Sequence, residues 1–306
     1  MEIWFGYITL GGAYYLFALW WTIQIFCRHF KSVRKTGPPY RSAATFPCCC
    51  TCFKCCCRYC FLDFEPLLKF SLSISVFIVI IIQWVKAGHT DYVDDARFLA
   101  IYFFFALSGV IDIMVRHKWP LPHGIEYAIL SIAFIMEAMF FTSYPGNKEL
   151  SEVLHRLLYY AIIGTIVCLL LEVRFRRSPL IALGRTIFVM IQGTWIWQIT
   201  ISMDHAETLP ESWNIDDKYI LSLATLLYAA HIAMAIIIVL VIGALIGCCF
   251  CCKGKGKVNG KGSKDEANVQ LIKRDANGHT IVNLNEESDS DIEFQRPIQK
   301  VYKDNE

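Results

Sequence analysis

Charged side chains are scarce in this chain of 306 residues. They make up 18% of the sequence, whereas hydrophobic residues make up 55%, and the mean hydropathy is +0.43. A soluble domain of this length carries about a quarter charged residues. The deficit excludes an ordinary soluble domain and indicates that most of the chain lies in a membrane.

Local catalytic motifs are also missing. The sequence has no Gly-rich phosphate loop, no H-E-x-x-H and no G-x-S-x-G, which mark nucleotide-binding enzymes, zinc peptidases and α/β-hydrolases. Asp/Glu-Arg-Tyr and Asn-Pro-x-x-Tyr are absent too, which disfavours a G-protein-coupled receptor. The outer loops contain no Asn-x-Ser/Thr acceptor, so glycosylation gives no clue to trafficking.

Long apolar stretches alternate with polar loops along the chain. A helix needs about 20 apolar residues to cross a bilayer core, and lipid offers no partner for free backbone groups. We predict an all-α polytopic membrane protein, with a seven-helix transmembrane domain at 1–252, a Cys-rich cytosolic loop at 28–66 and a disordered cytosolic tail at 253–306. The predicted spans are 4–27, 67–86, 98–115, 125–143, 156–173, 180–203 and 219–247.

The loops differ in charge in a regular way. The first, third and fifth loops are basic, whereas the sixth is acidic and the second is mixed. Because positive charge collects on the cytosolic side of a membrane, the N-terminus is predicted to face the outside or the lumen and the C-terminus the cytosol. An even number of spans would place both ends on one side and break this pattern, which favours seven.

Twelve of the 14 cysteines form two clusters beside predicted spans, both on the predicted cytosolic side, where disulfides are not expected. They are Cys48, Cys49, Cys50, Cys52, Cys55, Cys56, Cys57, Cys60, Cys248, Cys249, Cys251 and Cys252. S-palmitoylation is favoured, because juxtamembrane cysteines beside basic residues are its usual setting. A metal site and a chance Cys-rich border remain alternatives. The metal site is less favoured because only one residue separates the two C-x-x-C pairs of the first cluster, where zinc sites have a longer loop.

Ionisable residues inside predicted spans fall into two groups. Asp112, Glu172 and Arg185 lie toward the cytosolic face, where an ion pair of Arg185 with Asp112 or Glu172 would neutralise the charge. We expect this structural role rather than catalysis.

The second group lies in the outer half or near the middle of the membrane. It consists of Glu137, His155, Gln198 and His231, which could line one cavity open to the outside. Such a set could bind a divalent ion, relay protons, or hydrogen-bond between helices. The last of these is favoured.

The tail from 253 onward opens with a Lys/Gly run and becomes acidic near residue 286. The basic part could lie against anionic lipid. Ser288 and Ser290 stand three residues before Asp291 and Glu293, a pattern that suits an acid-directed kinase. An unmodified tail is the equally favoured alternative.

Four stretches resemble, in order, the transmembrane protein 45 family, a family of seven-helix membrane proteins with a domain of unknown function. They are GGAYYLFALWW (11–21), YFFFALSGVIDI (102–113), MEAMFF (136–141) and IQGTWIWQI (191–199). The resemblance implies the fold and topology but no established reaction. It also matches Asp112, Glu137, His155, Gln192 and His231 to family positions.

Two histidine-rich stretches of that family are replaced here. Arg97 and Phe98 stand where family members tend to carry a His pair, and residues 143–146 read SYPG instead of H-T-H-G. Because about four candidate ligands are lost, a zinc hydrolase is less favoured for this chain than for its relatives.

Together these features favour a non-enzymatic membrane protein that binds a lipid or another ligand, or that organises partners. The alternative is an intramembrane metal-dependent enzyme, or an ion- or proton-handling protein, that uses Glu137, His155 and His231. No cofactor is expected, with zinc as the alternative. Membrane lipid is the expected partner, a homo-oligomer is left open, and nucleic acid is not expected. Either the plasma membrane or the Golgi and endosomal system would suit it.

Overall fold

The computed structural model describes residues 2–46, 64–87, 92–142, 149–208 and 217–255. Within these ranges every element of regular secondary structure is an α-helix. The helices are α1 (Glu2–Val33), α2 (Phe64–Ala87), α3 (Tyr92–Arg116), α4 (Ile125–Thr142), α5 (Glu149–Arg174), α6 (Pro179–Thr208) and α7 (Asp217–Lys255). All seven are long and apolar enough to cross a membrane, which confirms the predicted all-α, seven-helix class.

Several predictions fall outside this part of the chain. Cys48 to Cys60, most of the tail from 253, and both Ser288 and Ser290 are not among the described residues, and neither is the side chain of Cys252.

Helices α1 and α7 are longer than their predicted spans, because each continues into the polar sequence that follows. Helix α1 ends where Lys35 takes a left-handed conformation with φ of 53° and the amide of Thr36 donates to the carbonyl oxygen of Lys31 at 3.0 Å. This six-to-one bond is the Schellman stop of a helix. Helix α3 is followed by a similar turn at Lys118, whose φ is 59°.

The bundle is not packed strictly in chain order. Helix α1 packs mainly against α6, whereas α2 packs mainly against α3. Helices α3, α4, α5 and α6 pack each against the next, and α7 packs against α1, α5 and α6. Because α1 turns toward α6, it makes few contacts with α2, although a loop joins the two.

Small residues bring α1 and α6 together. A Cβ atom added to Gly193 would lie 2.7 Å from the carbonyl oxygen of Gly11 and 2.8 Å from the amide nitrogen of Tyr15. Both neighbours are backbone atoms that cannot swing aside. Close approach through small residues is a common way for helices to associate in membranes, and it sets the position of α1.

We predict that Gly193→Ala lowers the free energy of unfolding by about 1–3 kcal/mol, as overpacking does in other cores. Gly12→Ala is the matched control on α1, because its Cβ would lie 3.6 Å from the Trp197 ring, an ordinary contact. The measurement is thermal melting of both variants in the same detergent, followed by tryptophan fluorescence. Equal melting temperatures would contradict the close approach.

Candidate functional site

One end of the bundle, which we call the inner end, is where α1 ends and α2 begins. This end contains a buried ion pair. Arg185 of α6 donates from Nε to Oε1 of Glu172 of α5 at 2.7 Å, and both side chains are 0% exposed. The guanidinium also lies 4.4 Å from the centre of the Trp21 ring. This is one of the two pairings considered from the sequence, and it neutralises both charges.

The segment between α1 and α2 completes this network. The side-chain hydroxyl of Ser42 donates to Oε2 of Glu172 at 2.5 Å, and Arg185 donates to the carbonyl oxygens of Ala43 and Ala44. Tyr40 is buried beside them, and desolvation raises the pKa of its hydroxyl to about 12. Residues 40–46 therefore form a segment, which we call the plug, that is held by hydrogen bonds to α5 and α6.

Asp112 does not share this network. Its carboxylate accepts from Nζ of Lys69 at 2.5 Å, with the two side chains 1% and 5% exposed, and Ser108 accepts from the same amine at 3.2 Å. Sequence reasoning missed Lys69. The available signal was its place two residues inside the second predicted span, at the same end of the membrane as Asp112.

A buried carboxylate, Glu65, was missed as well. Glu65, at the start of α2, accepts from the indole nitrogens of Trp20 and Trp21 at 2.9 Å and 2.6 Å. The backbone amide of Phe46 donates to it at 2.7 Å. Glu65 thereby joins α1 and α2 at the inner end.

The first two residues of the predicted outer cavity lie against α1. Glu137 is fully buried, and its Oε2 accepts from the hydroxyl of Tyr14 at 2.7 Å. Its Oε1 has no hydrogen-bond partner among the residues that the structure describes. His155 is buried, and its Nε2 atom lies 3.2 Å from the hydroxyl oxygen of Tyr7. Its Nδ1 lies 2.7 Å from the carbonyl oxygen of Ser151.

The other two residues have different neighbours. Gln198 is half-buried and donates to Ser202 on its own helix at 3.1 Å. His231 is half-buried on α7 and packs edge-on against the Trp195 ring, with centroids 5.4 Å apart. The contacts described here link Glu137 and His155 to α1, Gln198 to its own helix and His231 to Trp195. Within the described ranges no three His, Cys, Asp or Glu residues are grouped to hold a metal ion. A shared outer cavity stays a prediction.

An apolar cleft lies between α1, α2, α3 and α4, and we call it the α1–α4 cleft. The space in and around it amounts to about 470 Å³ when the open solvent at its mouth is included. Its lining residues are Leu10, Ala13, Tyr14, Phe17, Trp21, Lys69, Leu72, Ser73, Tyr102, Phe105, Leu130 and Phe134. Of these described residues, Lys69 alone carries a charge. None of the four predicted cavity residues lines the cleft, although Tyr14 bonds to Glu137 directly behind it.

We predict that Arg185→Met and Glu172→Gln each lower the free energy of unfolding by about 3–5 kcal/mol, because each leaves a buried polar partner uncompensated. The double variant is expected to lose less than the sum of the two single losses. Thermal melting of the three variants in one detergent measures this coupling.

The control for this set of single and double variants is the exposed pair of Arg156 and Glu152 on α5. Their side chains are 56% and 65% exposed. Arg156→Ala should change the free energy of unfolding by about 1 kcal/mol or less, since solvent screens such pairs. Strictly additive losses at Arg185 and Glu172 would contradict a coupled pair.

Residues 123–244 match DUF716, a family of unknown function. The match covers less than half of the chain and includes α4, α5, α6 and much of α7. Six residues of the polar sites lie inside it: Glu137, His155, Glu172, Arg185, Gln198 and His231. The chain is therefore a multi-pass membrane protein with a region similar to a family that has no established activity.

Proposed function

We propose that this protein is a non-enzymatic membrane protein that binds the hydrocarbon chain of a lipid in the α1–α4 cleft. The observation that carries the proposal is the apolar lining with one cation, Lys69, at its inner end. Burial of apolar surface supplies the attraction, and van der Waals contact with the aromatic walls adds to it.

The direction of the cleft suits a lipid chain. Along α1 the lining runs from Leu10 to Trp21, which at 1.5 Å per residue is about 16 Å. A helix that crosses a bilayer lies roughly along the direction of the lipid chains. A chain in the cleft would therefore keep the orientation that it has in the surrounding lipid.

A path into the cleft is also available. Helices α1 and α2 make few contacts, and their described polar contacts gather at Glu65, at the inner end. The sparse packing of α1 on α2 leaves room for a chain to enter sideways from the bilayer.

The lining favours binding over catalysis. It contains Tyr14, Ser73 and Tyr102 as hydroxyl groups, but no histidine or carboxylate among its described residues that could act as a general base. The amine of Lys69 is already neutralised by Asp112. The three hydroxyl groups and this amine can hold a polar end of a lipid in position.

We propose further that the inner end faces the cytosol and that the N-terminus faces the outside or the lumen, in the plasma membrane or the Golgi and endosomal system. Basic residues in the last turns of α1, α3 and α5 support this orientation: Lys31, Arg116 and Arg174. Cytosolic ends of spans are rich in such residues.

The alternative is an ion- or proton-handling protein, or an intramembrane metal-dependent enzyme, centred on Glu137, His155 and His231. The Oε1 atom of the fully buried Glu137, which has no hydrogen-bond partner within the described part of the chain, favours it. Buried ionisable groups inside a membrane are costly and often functional. Metal bound in near-stoichiometric amount, and lost in Glu137→Gln, would support this alternative over the cleft.

If a lipid chain occupies the cleft, we expect a diazirine-bearing long-chain lipid in reconstituted vesicles to label the cleft selectively. Ala13→Phe fills the cleft with a ring and is expected to lower labelling of peptides from α1–α4 about tenfold, which corresponds to about 1.4 kcal/mol. The measurement is mass spectrometry of the labelled peptides.

The control is Leu16→Phe, which adds a ring on α1 at a position that is 65% exposed and outside the cleft lining. It should leave cleft labelling unchanged. Labelling that is spread evenly over the outer surface, α7 included, and that ignores Ala13→Phe would refute lipid binding in the cleft.

A further inference from the structure

The inner end of α7 presents several thiols at the edge of its apolar run. Helix α7 continues to Lys255, whereas the part of it that is apolar enough to cross a membrane is Ser222–Cys251. The thiols of Cys248, Cys249 and Cys251 are free and exposed. These side chains therefore leave the bundle at the depth where an apolar helix meets the polar boundary of the membrane.

The neighbouring helix places a cation beside this group. Arg34, just past the end of α1, lies with Nη2 at 3.4 Å from the sulfur of Cys251. Its other terminal nitrogen, Nη1, donates to the carbonyl oxygen of Phe250. The rings of Phe30 and Phe250 pack beneath it, with centroids 6.0 Å apart. The thiols are thus held next to the basic end of α1.

We propose that Cys248, Cys249 and Cys251 form a site of S-acylation by long-chain thioesters. The argument joins three observations: the exposure of the thiols, their position at the end of the span, and the guanidinium that contacts the sulfur of Cys251. This modification site is separate from the α1–α4 cleft, since neither Arg34 nor any of the three cysteines lines the cleft.

The acyl donor fits the charge of this surface. A coenzyme-A thioester carries phosphate groups, which a guanidinium binds well, and an acyl chain that can enter the bilayer beside α7. In the transfer, the sulfur of the cysteine forms a bond to the acyl carbonyl carbon. The bond from that carbon to the donor sulfur breaks, and the cysteine proton passes through water to the departing thiolate. No electrons are gained or lost overall.

The remaining described cysteines provide a contrast inside the same protein. Cys27 is buried and Cys168 is half-buried, and both pack among the helices of the bundle, whereas the three α7 cysteines lie at the exposed end of a span. A thioester donor at the membrane surface can reach the exposed α7 thiols, whereas Cys27 is 7% exposed inside the core.

The test is acyl exchange on the full-length protein from eukaryotic cells. Free thiols are blocked, thioesters are cleaved with hydroxylamine, and the released thiols are tagged with a polymer that shifts the gel band. The variant Cys248→Ser/Cys249→Ser/Cys251→Ser is expected to lose up to three band increments relative to the native protein. Cys27→Ser/Cys168→Ser is the matched control and should lose none.

A second measurement keeps the proposal testable if the triple variant does not fold. The α7 peptide of the native protein is analysed intact by mass spectrometry, where an acyl mass on residues 248–251 that hydroxylamine removes is expected. The proposal is overturned if this peptide is unmodified, or if the folded triple variant keeps every increment of the native protein. Neither outcome affects lipid labelling of the cleft, so the two proposals fail separately.

Discussion

The buried ion pair of Arg185 and Glu172 is the interaction on which the inner half of this bundle depends. A guanidinium that is 0% exposed persists in a membrane protein only when charge and hydrogen-bond partners surround it. Here the partners come from α5, from the α1–α2 segment through Ala43 and Ala44, and from the Trp21 ring of α1. One side chain thus joins four parts of the chain.

The plug at residues 40–46 follows from this constraint. Its backbone has no helix to satisfy its polar groups, so the carbonyl oxygens turn to Arg185 and the Phe46 amide turns to Glu65. Because Glu65 also binds Trp20 and Trp21, α2 is fixed to α1 at this end. The close contact of Gly11 and Gly193 meanwhile holds α1 on α6. Helix α1 therefore makes few contacts with α2, and the α1–α4 cleft lies between these helices and α3 and α4.

The two proposed lipid interactions use different physics. In the cleft, apolar and aromatic walls would bind a chain without a covalent bond, and Lys69 with Asp112 provides a neutralised polar end. At the end of α7, exposed thiols beside Arg34 would hold a chain covalently. The helix that carries these thiols is largely exposed along its apolar length, as expected for a helix that faces lipid. Both sites lie on helices whose packing leaves a surface toward the bilayer.

The amino-acid sequence by itself determined the number and type of the helices, because about 20 apolar residues in a row have one stable form in lipid. It also indicated that Arg185 needs a carboxylate partner, since an isolated charge in a membrane is too costly. It could not choose between Asp112 and Glu172, and it overlooked Lys69 and Glu65, because pairing depends on how helices rotate and which of them pack together. The tertiary structure decided this by placing α5 on α6, α2 on α3 and α1 on α6. That choice follows from small residues and side-chain shapes that meet across helices far apart in the chain, which hydropathy and charge along the sequence do not encode.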